Sequence, residues 1–367
     1  MTTAHASIDG ALLAQSRALI RSLQTPEGAY PASPTFSAYA GYCWFRDGSF
    51  IADGMSAVGE VESAESFFTW CSDVVLRYKD DIMAAVKGAA SGTPLPNASM
   101  LPARFTFDGG RGADEWWDFQ LDGFGTWLWA LEQHCARHGA NPAPFADAVA
   151  LTVDYLASSW ERPCFDWWEE HDEHVHVSTL GCVGAGLQAA ARLGTLDPTR
   201  ASLASETAAT IRAHILSEGV SDGHLVKWIG TSAVDGSLSA LISPLGFIDP
   251  LSDVAASTMR AIDADLTVDN GVHRFVDDTF FGGGQWPLLS CFAGLAKLAM
   301  GDRPAAQASL AWAASAATSD LALPEQVGAH LLAPDRRAEW VERWGSVATP
   351  LLWAHGMILR LAKELDR

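Results

Sequence analysis

Residues 285–318 read QWPLLSCFAGLAKLAMGDRPAAQASLAWAASAAT, and they contain two helical patterns separated by only two residues. Apolar residues recur at helical spacing through 285–300 and again through 303–318. Two helices joined this closely can each bury an apolar stripe on the other. The same periodicity predicts further helices at 7–24, 48–58, 62–78, 113–138, 143–160, 178–193, 200–217, 237–245, 250–266 and 347–365.

Strand-like sequence is scarce, and what there is, such as His224 to Ile229, is short. Because strands and helices do not alternate, the sequence predicts an all-α fold in which paired helices stack around a ring. The sequence does not repeat at a fixed period, so we do not predict a consensus solenoid. The expected helix ends are Ser7 and Asp47 as N-caps and Gly139 and Gly194 as C-terminal stops.

Five long stretches without a helical pattern lie between these helices. Connections of this length in a compact domain usually serve binding or catalysis. They cover 25–47, 92–112, 161–177, 267–284 and 320–346.

The composition is that of a globular protein, with 49% hydrophobic residues in 367 and a net charge of −20. Such a charge argues against nucleic acid or an anionic membrane as a partner, whereas a neutral ligand is not repelled. No apolar run is long enough to span a bilayer, and the N-terminus lacks the pattern of a signal peptide. The six scattered cysteines, without CxxC pairs, predict reduced thiols in a cytoplasmic protein.

An acidic and aromatic stretch, FDWWEEHDEH, covers residues 165–174. Glu169 and Glu170 are adjacent, with Asp166 close by and two indoles between. Neighbouring like charges and the exclusion of water both raise the pKa of a carboxyl group. A carboxylic acid that stays protonated near neutral pH can serve as a general acid. The alternative is a solvated acidic loop or a helix N-terminus.

A second isolated acid, Glu325, lies in the sequence LALPEQVGAH at 321–330. Its surroundings carry no other charge before His330. Such an acid is either a helix cap or a base placed for catalysis, and its position alone favours the cap.

A third candidate is YCWFRDG at 42–48. Arg46 and Asp47 side by side provide donors and acceptors that match vicinal hydroxyl groups, and Tyr42 and Trp44 provide stacking faces. The alternative is an exposed ion pair at a helix start, which contributes little.

Four further stretches carry weaker signals. WWDFQLDG (116–123) and HRFVDD (273–278), the latter followed by GGGQWP, combine aromatic, acidic and amide or arginine side chains. GAGLQA (184–189) lacks the preceding strand of a dinucleotide site and is better explained by close helix packing. HDEHVH (171–176) lacks a zinc-site spacing, so we predict neither a metal nor a cofactor.

Taken in order, these segments resemble glycoside hydrolase family 15, the glucoamylase family, and most of all its small bacterial members that act on isomaltose. Single motifs are weak, but five in the same order are specific, and the similarity extends over nearly the whole chain. The five motifs match at Arg46–Asp47 preceded by Trp44; Trp116, Gln120, Asp122 and Gly123; Trp168–Glu169–Glu170; Arg274 and Asp278; and Glu325–Gln326. The stretch VDGSLSALISPLGFIDPLSD (234–253) also resembles the family segment between acid and base.

The resemblance implies an (α/α)6 barrel. Because few residues precede Arg46 or follow Glu325, we expect a single catalytic domain over 1–367 without a β-sandwich or starch-binding domain. The resemblance also implies inverting hydrolysis that releases β-glucose from the non-reducing end, with Glu169 as general acid and Glu325 as general base. Ala40, with Tyr39 before it, stands where many members have an aromatic residue. The residues expected to bind the sugar are Tyr42, Trp44, Arg46, Asp47, Trp116, Trp168, Glu170, Arg274, Asp278 and Trp286.

The expected substrate is isomaltose or a short α-1,6-linked glucose oligomer, handled by a monomer or weak homo-oligomer. Malto-oligosaccharides and trehalose are alternatives within the same family. Outside it, a helical toroid that binds sugars without hydrolysing them would need neither Glu169 nor Glu325. A third class, an (α/α) cyclase, is suggested by GGGQW and VDD.

Overall fold

A computed structural model describes residues 10–113 and 119–367 of the chain. Within these residues helices dominate, and strands occur only as short pairs. The α-helices are α1 (Gly10–Leu23), α2 (Phe45–Ala57), α3 (Val61–Arg77), α4 (Lys79–Ala90), α5 (Asp122–His138), α6 (Ala146–Ser159), α7 (Val177–Arg192), α8 (Pro198–Glu218), α9 (Ser239–Ile242), α10 (Asp253–Asp265), α11 (Pro287–Ala299), α12 (Arg303–Ser315), α13 (Arg337–Trp344) and α14 (Leu352–Leu365).

Six helices contact one another in a closed ring, in the order α2, α5, α7, α9, α11, α14 and back to α2. Every residue of α2 is buried, as expected for a helix enclosed on all sides. The helices α1, α3, α6, α8, α10 and α12 pack outside this ring. Of the 21 residues of α8, only Ala204, Thr207, Ala208, Ile211 and Ile215 are buried, which forms a single inward stripe. The predicted (α/α)6 barrel is confirmed.

Two glycines on α7 allow close packing against its neighbours. A Cβ atom added to Gly186 on α7 would lie 2.3 Å from the carbonyl oxygen of Gly125 on α5. A Cβ atom on Gly184 would lie 2.2 Å from the ring of Phe247. The sequence GAGLQA therefore serves helix packing, as predicted.

Two helices were not predicted. The helix α4 buries only Ile82 and Ala85, so its apolar stripe is too short to stand out in the sequence. The helix α13 buries no residue and lies within the stretch 320–346, which was expected to be non-helical. Both helices are additions to the twelve of the barrel.

Some predicted helix ends differ from the structure. Asp47 is not an N-cap but lies in the first turn of α2, whose N-cap is Trp44. The helix predicted from 113 begins only at Asp122. Gly139 does end α5 in the left-handed conformation, with φ of 65°. The predicted cap Ser7 lies outside the described residues.

Three two-stranded antiparallel sheets complete the described structure. They pair β1 (Tyr42–Trp44) with β2 (Arg104–Thr106), β3 (Val220–Ser221) with β4 (His224–Leu225), and β5 (Thr267–Val268) with β6 (Gly271–Val272). The strand β1 runs directly into ring helix α2, so the sheet with β2 fixes the side chains at the start of that helix. None of the described helices is both long and apolar enough to cross a bilayer.

Candidate active site

A cavity of about 250 Å³ opens where the ring helices α2, α11 and α14 begin. This volume suits a small ligand. Nine of the twelve residues proposed from the sequence line it, although they come from widely separated parts of the chain. They are Trp44, Arg46, Asp47, Trp168, Glu169, Glu170, Arg274, Trp286 and Glu325.

The other three proposed residues are placed differently. Asp278 is fully buried behind the cavity wall, where it binds Arg274. Tyr42 is not part of the lining, and its ring lies 3.8 Å from the guanidinium carbon of Arg104. Its ring also packs 6.3 Å from that of Trp44, so it supports a lining residue. Trp116 lies outside the described residues.

Glu169 lies in the loop between α6 and α7 with a left-handed backbone, φ 62°. For a residue other than glycine this conformation is unfavourable by about 1–2 kcal/mol, so the surroundings must impose it. The carboxylate of Asp166 accepts hydrogen bonds from the backbone N–H groups of Trp168 and Glu170, both at 2.9 Å. The indole N–H of Trp44 donates to Oε1 of Glu169. The loop thus holds Glu169 against the cavity.

A buried charge cluster underlies this loop. The ammonium group of Lys227, which is 3% exposed, donates to Asp166 at 2.9 Å and to Asp235 at 2.7 Å. Asp235 also accepts the indole N–H of Trp168 at 2.9 Å. Burial raises the pKa of Asp166, but the charge of Lys227 and several hydrogen bonds outweigh it and leave the pKa below its ordinary value.

The expectation that the acids of this loop repel one another is therefore only partly met. Asp166 is paired with Lys227, and Oε1 of Glu170 accepts a 3.1 Å hydrogen bond from Arg274. Because each is paired with a cation, neither acts as a bare like charge beside Glu169.

Glu325 is 1% exposed and lies on the connection between α12 and α13. The hydroxyl group of Tyr39 donates a 2.7 Å hydrogen bond to its Oε1, and its Oε2 has no partner in the part of the chain that the structure describes. Burial raises the pKa of Glu325 to about 8, although Tyr39 and Arg274 act in the opposite direction. Once ionised, such a carboxylate is a stronger base than an exposed one.

The backbone around Glu325 is anchored on both sides. Its N–H donates to the carbonyl of Ala348 at 2.9 Å. Two residues earlier, the N–H of Leu323 donates to Nε2 of His355 at 2.9 Å, and Nδ1 of that histidine lies 2.8 Å from the hydroxyl of Ser16. Burial lowers the pKa of His355 to about 4, so its neutral ring can accept this bond. The backbone that leads to Glu325 is thus anchored to His355 of the ring helix α14 and, through His355, to Ser16 of the outer helix α1.

The buried part of the cavity lining around Arg46 and Asp47 is polar. Arg46 donates to Gln120 at 2.5 Å and to Asp122 at 2.9 Å, and its Nε lies 3.5 Å from Oδ2 of Asp47. Burial and the nearby Glu169 raise the pKa of Asp47 to about 7, despite the opposing charge of Arg46. Among the described residues, Nε of Arg46 and Oδ2 of Asp47 have no hydrogen-bond partner. They are suited to bind hydroxyl groups of a ligand.

Arg274 forms one side of the cavity. Two of its nitrogens bind Asp278, at 2.8 and 2.5 Å, in the bidentate geometry that fixes a guanidinium group. Its guanidinium carbon lies 5.3 Å from the ring of Trp168 and 5.5 Å from that of Trp286. Asp278 therefore orients Arg274 and does not itself reach the cavity.

Most of the aromatic residues that line the cavity were not predicted from the sequence. Trp340 and Trp344 are four positions apart in RRAEWVERW, which places both on one face of α13. Two indoles at helical spacing in such a charged segment were the signal that could have found them. The lining residues that were not proposed include Phe36, Tyr39, Trp167, Phe280, Trp340, Arg343, Trp344 and Trp353.

The histidines of HDEHVH lie beside this site without forming a metal centre. The ring of His174 stacks on Trp228 at 4.4 Å, and Nε2 of His176 lies 2.8 Å from the carbonyl oxygen of His171. In residues 10–113 and 119–367, no group of three histidine, cysteine, aspartate or glutamate residues is arranged to hold a metal ion.

Two acids facing one cavity at the end of an (α/α)6 barrel are the arrangement of a glycoside hydrolase. The chain belongs to glycosyl hydrolases family 15, whose family model matches residues 8–311. It is 53% identical over 358 residues to isomaltose glucohydrolase of Kribbella flavida, covering 96% of this chain and 92% of that protein. It is 28% identical over 280 residues to trehalase of Mycolicibacterium smegmatis, covering 70% of this chain and 41% of that protein.

Solved structures agree with this assignment. A wild-type glycosidase superimposes with a TM-score of 0.95 at 51% identity, covering 97% of this chain and 96% of that one. A variant glycosidase that matches equally well was solved in complex with glucose. Glucoamylase of Saccharomycopsis fibuligera shares the fold, with a TM-score of 0.72 at 14% identity over 99% of this chain and 96% of that one.

Proposed function

We propose that this glycoside hydrolase releases β-glucose, with inversion, from the non-reducing end of isomaltose and short α-1,6-linked glucose oligomers. One observation carries the proposal. Glu169 and Glu325 line the same cavity, and the buried Arg46–Asp47 pair lines it with them. The name of the relative from Kribbella flavida supports the choice of substrate.

Glu169 acts as the general acid. Its carboxyl group gives a proton to the glycosidic oxygen as the bond between that oxygen and the anomeric carbon breaks. The indole N–H of Trp44 orients the carboxyl group by binding Oε1. The proton goes to the departing sugar, which leaves as a neutral alcohol.

Glu325 acts as the general base on the opposite face of the sugar. Its unpartnered Oε2 takes a proton from a water molecule, whose oxygen forms the new bond to the anomeric carbon. In inverting enzymes the two carboxyl groups lie about 6.5–9.5 Å apart, which leaves room for this water. Attack opposite the leaving group converts the α-linkage into β-glucose.

The buried part of the cavity lining explains action at the chain end. Arg46 and Asp47 are 4% and 8% exposed, so only a terminal glucosyl unit can reach them. The atoms of this ion pair that lack a hydrogen bond bind its hydroxyl groups, and an epimer that places a hydroxyl elsewhere leaves these buried atoms without a hydrogen bond. Hydrolysis therefore starts at the non-reducing end.

The cysteines are all free in the structure, and five of the six are buried, which favours a reducing compartment such as the cytoplasm. Trehalose is the second candidate substrate, because the chain also resembles a trehalase.

The substrate is tested by comparing glucose release from isomaltose, maltose, trehalose and starch at equal enzyme concentration. We expect isomaltose to give the highest kcat/KM. Starch as the fastest substrate would contradict the proposal, and trehalose as the fastest would support the second candidate. A Glu169→Gln, Glu325→Gln double variant serves as the control for contaminating glucosidases.

A further inference from the structure

The helix α13 closes one side of the cavity without belonging to the barrel. It has no buried residue, and it packs against the turn Phe280–Gly282. Three of its side chains nevertheless line the cavity, namely Trp340, Arg343 and Trp344. A helix held by so few buried contacts, with two indoles facing a cavity, suits a role in binding.

The three side chains form a continuous wall. The ring of Trp340 packs edge-on against Phe280 at 5.0 Å, and the ring of Trp344 lies 6.1 Å from that of Phe36. The guanidinium carbon of Arg343 lies 5.1 Å from the ring of Trp344 and 5.9 Å from that of Trp340. The wall therefore combines two aromatic faces with a positive charge.

One polar group of this wall, the guanidinium of Arg343, is available to a ligand. Arg343 is exposed and, within the described ranges, has no acidic partner at ion-pair distance. Pyranose rings present C–H groups on their faces and hydroxyl groups around their edges. Indole rings pack against the C–H faces, and guanidinium or N–H donors bind the hydroxyl groups.

The wall lies at the outer end of the cavity. Arg46 and Asp47 are 4% and 8% exposed, whereas the side chain of Glu170 is 37% exposed and that of Arg343 is exposed as well. A substrate whose terminal glucosyl unit binds Arg46 and Asp47 directs its leaving sugar toward this outer end. We propose that Trp340, Arg343 and Trp344 form the binding surface for the leaving sugar and thereby favour short glucosides; this inference rests on the proposed function.

The wall is attached to the loop that carries the base. The N–H of Glu325 donates to the carbonyl of Ala348 at 2.9 Å, which closes the excursion that contains α13. The excursion lies beyond residue 311, where the match to the family model ends. The residues proposed to contact the leaving sugar and the residue proposed to activate water thus lie on one segment of this chain.

The test compares isomaltose with α-glucosyl fluoride, which carries the same glucosyl unit but no leaving sugar. Trp340→Ala and Arg343→Ala should each lower kcat/KM for isomaltose by about tenfold or more and leave kcat/KM for the fluoride within about twofold. Glu342→Ala, an exposed change on the same helix outside the lining, is the matched control and should affect neither substrate.

The results distinguish failure of the leaving-sugar wall from failure of the proposed function. Equal losses on both substrates, or no loss on isomaltose in an active enzyme, would overturn the leaving-sugar wall and leave the proposed function standing. A wild-type enzyme that hydrolyses the fluoride but not isomaltose would overturn the proposed substrate, and the wall with it. Because the measure is a ratio of two activities of one variant, partial misfolding does not affect it.

Discussion

The hydroxyl group of Tyr39 donates a 2.7 Å hydrogen bond to Glu325, and the ring of Tyr39 packs edge-on against Trp44 at 5.5 Å. Trp44 in turn donates to Glu169. Two aromatic side chains therefore connect the two acids along one wall of the cavity. Burial raises the pKa of Tyr39 well above its ordinary value, so Tyr39 remains a donor over the working pH range.

Tyr39→Phe should move the acidic limb of the kcat/KM profile to higher pH. The hydrogen bond from Tyr39 favours the ionised form of Glu325 and lowers its pKa, so its removal leaves the base protonated to higher pH. At pH 7 we expect a loss of about 10- to 100-fold in kcat/KM. Tyr78→Phe, outside the lining, is the control. An unchanged pH midpoint would show that Tyr39 does not tune this carboxylate.

The roles of the two acids should separate on α-glucosyl fluoride, because fluoride leaves without a proton. Glu169→Gln should lose about 10²- to 10⁴-fold on isomaltose but retain most activity on the fluoride. Glu325→Gln should lose activity on both, since both reactions need an activated water. Equal losses in Glu169→Gln on the two substrates would contradict its assignment as general acid.

Glu325→Gln should also stabilise the fold at alkaline pH. Burial raises the pKa of Glu325 from its ordinary 4.5 to about 8, so between these values the folded chain holds a proton that the unfolded chain has lost. Stability contributed by this group is complete below pH 4.5 and is lost as pH rises toward 8. The variant's Tm should match that of the wild type at pH 4.5 and exceed it by roughly 5 °C at pH 8.5.

Thermal unfolding across this pH range measures the effect. Glu218→Gln, at an exposed position, is the control and should leave Tm unchanged at every pH. A Tm difference for Glu325→Gln that is the same at pH 4.5 and pH 8.5 would rule out titration of Glu325 as its cause.

Lys227→Met should destabilise the protein strongly. It leaves Asp166 and Asp235 buried without their shared cation, which costs about 3–5 kcal/mol of unfolding free energy. The matched control is Lys297→Met, whose partner Asp263 is 44% exposed, and it should cost about 1 kcal/mol or less. Urea unfolding measures both. A similar loss of unfolding free energy in the two variants would show that the buried cluster stabilises the fold no more than the exposed pair.

Much of the barrel could be predicted from local sequence, because ring helices such as α7 and α11 carry apolar residues over most of their surface. The helix α13 could not, since its charged sequence buries nothing and its indoles face a cavity that only the folded chain creates. The same limit applies to Lys227, whose two carboxylate partners lie 8 and 61 positions away along the chain.

The candidate site was predicted from short motifs, and its geometry depends on details that motifs do not contain. Tyr39 lies one position before Ala40, where the resemblance places an aromatic residue. The N–H groups of Tyr39 and Ala40 both donate to the carbonyl of Phe36, which forms a turn here. From this turn the hydroxyl group of Tyr39 reaches Glu325. The roles assigned to Glu169 and Glu325 remain predictions.

Proton NMR of glucose at the moment of its release tests the central claim most directly, namely that Glu169 and Glu325 act on opposite faces of one anomeric carbon. Isomaltose is mixed with enough enzyme to outpace mutarotation, and the anomeric signals are followed from the first minute. The account predicts that β-glucose accumulates first and that α-glucose follows only by mutarotation. Initial release of α-glucose would contradict it.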